Sequence, residues 1–152
     1  MRFSKQNKEY DLVWCGTAYE KYIDGSRFKK MNLIRDWCKN NKITLFEVEA
    51  KYSIPEYCRI LSSGRSVLNL RGCAENCLRF YEALYLKLPV ISEMMTDEPF
   101  WGNPPQCMFD LNEESFLNAY RNQTDLTSWF YTQYSPLNLK KWALEAVKFL
   151  GV

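Results

Sequence analysis

A chain of 152 residues, 47% hydrophobic and 16% aromatic, is long enough for one domain with a real core and too apolar for disorder. Its formal net charge of +2 offers no clustered basic surface of the kind that nucleic-acid or membrane-surface binding needs, so no nucleic-acid partner is expected. The absence of histidine removes the commonest general base and any Ser–His or Cys–His pair, and argues against a zinc site.

Arg2 to Glu9 is polar and basic and reads as a solvated arm. It has no apolar signal-peptide core. The six cysteines, Cys15, Cys38, Cys58, Cys73, Cys77 and Cys107, are therefore expected to be reduced and the protein cytoplasmic. Tyr10 to Gly16 is a short apolar run closed by glycine, the pattern of a buried central strand. The connection from Thr17 to Ser26 is longer than a usual βα loop, and such loops tend to be functional. A helix follows over about Arg27 to Asn41, with Ser26 as its cap and Phe28, Met31, Leu33, Ile34, Trp37 and Cys38 as its apolar face. Arg27 stands in the first turn, where backbone N–H groups and the helix dipole favour an anion, although a solvated surface arginine fits as well. Ile43 to Val48 reads as a second strand. Ile54 to Ser62 reads as a short helix with Pro55 in its first turn, ended by Ser62-Ser63-Gly64.

The stretch from Arg65 to Glu93 organises the rest. Val67 to Leu70 is β-prone, Arg71-Gly72 breaks the run, Asn76 to Lys87 is helical in length, and Pro89 to Ser92 is a further strand. Strand, turn, helix and strand make a βαβ unit, and ligands of open α/β sheets gather outside the carboxyl ends of the strands. Arg71, Gly72 and Asn76 lie where a ligand is expected. Glu75, Arg79 and Glu82, spaced i, i+4 and i+7, share one helix face. That stripe is either an exposed ion pair on an otherwise buried helix or a set of ligand contacts.

Glu93 to Pro105, with three prolines and a glycine, has the chemistry of a loop; its Phe100 and Trp101 either pack on the core or cover a nucleoside. A short strand over Cys107 to Phe109 precedes a helix over Leu111 to Gln123, whose first turn is acidic through Glu113 and Glu114. Asp125 to Tyr134 and Asn138 to Leu150 are two more helical stretches. No apolar run is long enough to span a bilayer. The alternation predicts an α/β fold, a three-layer sandwich around a mostly parallel sheet. Residues 1–152 form a single Rossmann-like domain with a helical C-terminal tail.

Arg79-Phe80-Tyr81-Glu82-Ala83 and Leu88-Pro89-Val90-Ile91-Ser92 together resemble the R-x-[FY]-E-A…P-V-I signature of GT-B glycosyltransferases. That signature belongs to the C-terminal, donor-binding half of the glycosyl transferases group 1 type. YDLVWCG followed by Arg27, and YCRILSSGRSVLNL, are similar to the family's opening strand and to its helix–strand lead-in. Lys87 stands where the family has glycine, and Glu75 is one residue closer to Glu82 than in the family's two-glutamate spacing.

The resemblance implies a crevice for a nucleoside-diphosphate sugar, with no further cofactor and no metal. It implies binding by Gly16, Thr17, Arg27, Arg71, Gly72, Glu75, Asn76, Arg79 and Glu82. Arg27 and Arg79 would meet the pyrophosphate, and Glu82 the ribose hydroxyls. GT-B enzymes have a second, acceptor-binding domain, so a partner supplying it, or a homo-oligomer, is also implied; no catalytic residue is assigned. Two other readings stay open. One is a non-catalytic nucleotide or nucleotide-sugar binding protein, and the other is an interaction module using Trp101, Trp129, Tyr131 and Tyr134.

Overall fold

The computed structural model describes residues 8–16, 26–48, 52–71, 78–94 and 105–133. Five strands, β1 (Tyr10–Cys15), β2 (Leu45–Val48), β3 (Gly64–Asn69), β4 (Val90–Glu93) and β5 (Met108–Phe109), form one parallel sheet in the order β2-β1-β3-β4-β5. All five strands expected from the sequence are present, with the expected direction. Their apolar runs follow from burial on both faces, which parallel sheets impose.

The faces separate by residue parity. Leu12, Trp14, Leu68, Leu70, Ile91 and Phe109 point into one core, packed under α1 (Ser26–Asn40) and α4 (Glu113–Arg121). Val13, Cys15, Val67, Val90 and Met108 point into the other, which holds Leu61 of α2 (Ile54–Ser63) and Phe80, Ala83 and Leu84 of α3 (Leu78–Tyr85). Trp129 of α5 (Thr127–Gln133) packs against this second core. The result is the expected three-layer α/β fold of Rossmann-like character. Burying side chains such as Phe109 and Phe116 completely stabilises the fold by about 1.5–3 kcal/mol each.

Helix ends depart from the sequence reading in instructive ways. On α1, Met31, Ile34, Trp37 and Cys38 are buried, whereas Leu33 is 44% exposed because it lies off the face set by its neighbours. β2 begins at Leu45, not Ile43. Lys42, at φ 57°, closes α1: its N–H bonds Lys39 O and the Ile43 N–H bonds Cys38 O, a Schellman arrangement that buries Ile43 as the accompanying apolar contact. Lys87, at φ 53°, closes α3 in the same way, with Lys87 N–H to Leu84 O at 3.0 Å and Leu88 N–H to Ala83 O at 2.9 Å. Asn112 caps α4 by accepting the Ser115 N–H at 2.9 Å, and Glu56 in the first turn of α2 accepts the Ser53 N–H at 3.1 Å.

β3 is longer than expected, and α2 runs into it without a loop: Ser63 ends the helix and Gly64 begins the strand. Gly64 is needed there for room. A Cβ at this position would stand 2.5 Å from Val13 Cγ2 on β1, so any other residue would force Val13 or the strand to shift. At the same end of the sheet Asp11 clasps Thr44, its carboxylate accepting the Thr44 N–H and Oγ1–H at 2.8 Å. Burial alone would raise the Asp11 carboxyl, but the Thr44 hydrogen bonds and the Arg65 charge outweigh it and hold it below the usual carboxylate range.

Cys15, Cys38, Cys58 and Cys107 are free thiols; Cys73 and Cys77 lie outside the described residues. Burial pushes the Cys38 and Cys107 thiols up to about 12, with the Glu47 and Asp11 charges adding at Cys38. Among the described residues, no helix is long and apolar enough to cross a membrane. The helix expected over Asn138 to Leu150, the Thr17–Gly25 part of the long loop, and Phe100 and Trp101 also lie outside the described residues.

Candidate functional site

The order β2-β1-β3-β4-β5 puts the topological switch point between β1 and β3. From β1 the chain crosses through α1 on one face to β2; from β3 it crosses through α3 on the other face to β4. The two connections part there, and in open α/β sheets ligands bind outside the carboxyl ends of the strands at such a point.

Several of the residues expected at the site reach this rim. Gly16 follows β1 directly, is buried, and its N–H bonds Val48 O at 2.9 Å, fixing the start of the long loop. Arg27, in the first turn of α1, directs Nε at the carbonyl oxygen of Arg71, just past β3, at a long 3.4 Å. The fold thus brings together two arginines separated by 44 residues in sequence. Glu82 is on α3, where its Oε2 accepts the phenolic O–H of Tyr57 on α2 at 2.5 Å. Arg79 is the second residue of α3 as described, but its side chain lies outside the described parts, as do Thr17, Gly72, Glu75 and Asn76.

Glu93 was expected to open a loop and is instead the last residue of β4. It is only 6% exposed. Its carboxylate is matched on both oxygens: Lys30 Nζ donates to Oε1 at 2.6 Å and the Arg71 N–H donates to Oε2 at 2.9 Å. Lys30 is three residues beyond Arg27 on α1, so the two share a side of the helix. Glu93 therefore ties the end of β4 to the turn after β3 and to the first turns of α1. A buried carboxylate is tolerable only with such partners. Nothing local in the sequence marks this pair, because Lys30 and Glu93 are 63 residues apart.

A second polar group closes β3 and β4 on the α3 side. Asn69 and Ser92 are register partners and fully buried. Asn69 Nδ2 donates to Ser92 Oγ at 2.9 Å, and Ser92 Oγ donates to the Glu93 carbonyl at 3.0 Å. The rim thus has one side with Arg27 beside the Lys30–Glu93 ion pair, and a neutral, hydroxyl-and-amide side beneath α3. Chemically it suits a ligand with an anionic part and a polar uncharged part. Among the described residues, no group of three or more histidine, cysteine, aspartate or glutamate side chains is placed to hold a metal ion.

None of the protein-family models, curated proteins or solved structures compared with this chain matches it.

Proposed function

We propose that this chain is the donor-binding half of a GT-B type glycosyltransferase, holding a nucleoside-diphosphate sugar over the carboxyl ends of β1 and β3. The carrying observation is the rim itself. A parallel sheet with its switch point between β1 and β3 brings Arg27 beside Arg71, and the next helix, α3, bears the Arg79-to-Ala83 motif. Lys87 adds support: the position that is glycine in the motif has the left-handed backbone that glycine favours.

In this reading Arg27 and Arg79 neutralise the pyrophosphate, whose charge grows as the sugar departs, and rigid guanidinium groups do so without reorganising. Glu82 accepts from the ribose hydroxyls, and Tyr57 holds its carboxylate in place beforehand. The acceptor side is supplied by a partner domain or a second copy in the cytoplasm.

Calorimetry with UDP, GDP and free pyrophosphate tests the assignment. Arg79→Ala should weaken nucleoside diphosphates by about 1.5–3 kcal/mol, roughly ten- to hundredfold. Glu82→Ala should weaken the nucleotides but leave pyrophosphate unchanged. Unchanged nucleotide affinity in both variants would reduce the motif to a surface ion pair, worth on the order of 0–1 kcal/mol of stability.

A further inference from the structure

The Asn69 side chain carries more than its fold requires. It is fully buried, yet its Oδ1 has no hydrogen-bond partner. Buried polar atoms are rarely left so, and each such atom in a native protein calls for a reason. Ser62 Oγ is also buried and unpartnered, but it precedes β3 at the opposite end of the strand from the rim. Asn69 is the last residue of β3, one of the two switch-point strands. Two residues beyond the Val13–Val67 register pair, Cys15 and Asn69 end β1 and β3 on the same face.

The orientation of the amide is fixed by its neighbours. Ser92 has a single hydroxyl proton, and it goes to the Glu93 carbonyl. Ser92 Oγ must therefore accept from Asn69, so the amide presents nitrogen to Ser92 and keeps its oxygen for something else. The spare atom is an acceptor held at a set angle by a two-bond relay. It can receive an O–H or N–H donor and has nothing to offer a phosphate oxygen, which carries no proton to give at neutral pH.

We infer that Asn69 Oδ1 accepts a hydroxyl of the transferred sugar and so distinguishes the sugar nucleotide from the bare nucleoside diphosphate. This rests on the nucleotide-sugar reading above, in which the phosphates belong to the arginines and the ribose to Glu82. The hydroxyls of the sugar are the donors left over. Asn69 is then a specificity residue, and Ser92 is a positioning residue acting through it.

The test compares UDP and GDP with UDP-glucose, UDP-N-acetylglucosamine and GDP-mannose, by calorimetry on the full chain. Asn69→Leu keeps the shape and removes the unpaired atom. It should leave nucleoside diphosphate affinity unchanged and weaken the preferred sugar nucleotide about tenfold. It should also keep or raise the Tm of the free protein, because an apolar isostere lifts the cost of an unmatched acceptor. Ser92→Ala, which frees the amide to turn, should show the same selective loss to a smaller degree, and it serves if the leucine variant does not fold. Equal affinity of wild type and both variants for every ligand overturns the inference and leaves the oxygen a buried, unmatched acceptor. A parallel loss for nucleotides and sugar nucleotides also overturns it, as does a wild type that binds nucleoside diphosphates without favouring any sugar nucleotide; the parent reading survives both. Failure of wild-type protein to bind any of the five overturns the inference and the parent reading together.

Discussion

Lys42 and Lys87 both sit in the left-handed region, at φ 57° and 53°, at the C-terminal ends of α1 and α3. For a residue with a Cβ that conformation costs about 1–2 kcal/mol, against about 0.5–1 kcal/mol that glycine loses through the freedom of the unfolded chain. Lys87→Gly and Lys42→Gly should therefore each stabilise the protein, by up to about 1 kcal/mol, and thermal melts should show Tm rising by roughly 2–4 °C per kcal/mol. A fall in Tm for both would mean that the lysine side chains contribute more than their backbones cost. These caps were hidden from the sequence because the residue expected in an αL cap is glycine, and a lysine there reads as one more helical or surface position. Asn69 was hidden in the opposite manner. An amide inside Leu68-Asn69-Leu70 breaks the apolar run from Val67 to Leu70, and that break was the available signal.

At the scale of elements, the direct join of α2 to β3 makes Gly64 a test of how tightly β1 and β3 are set. Gly64→Ala drives its Cβ against Val13 Cγ2, with the Ser66 carbonyl 3.0 Å away on another side, and should cost about 1–3 kcal/mol in a denaturant melt. Val13→Ala in the same chain removes the side-chain part of that clash, so the double variant should be less destabilised than the sum of the singles. Strict additivity would show that the strain lies with the backbone at Ser66. The strands themselves were legible because a strand covered on both faces is an apolar run of limited length, and β1, β3 and β4 all have that form. Arg71 was expected past the carboxyl end of a strand by a topological rule and Arg27 in the first turn of a helix, and the fold brings the two together. Lys30 and Glu93 were not, since a pair formed across the switch point leaves no local spacing to read.

At the scale of the molecule, two cores lie on opposite faces of one sheet and share every strand between them. Cys38 reports on the α1–α4 side and Cys107 on the α2–α3 side, and both thiols are buried and held well above their usual range. Neither should react with a thiol reagent at neutral pH until the protein opens. If the sheet makes the two cores one cooperative unit, pulsed alkylation and peptide mapping across a urea series should release Cys38 and Cys107 at the same midpoint. Midpoints that separate would divide the molecule into two units along the sheet plane.

The sheet tapers outward. Its two central strands have six residues each, β2 and β4 have four, and β5 has two. A strand added to either margin would find few backbone groups to pair with, and on the β2 side it would meet Glu47, whose carboxylate is gripped by Arg35 at 2.7 and 2.8 Å. Short, charged margins are how soluble sheets resist edge-to-edge growth into aggregates. Among the described residues the taper therefore terminates the sheet, which favours docking through helices or the rim over extension of the β-ladder.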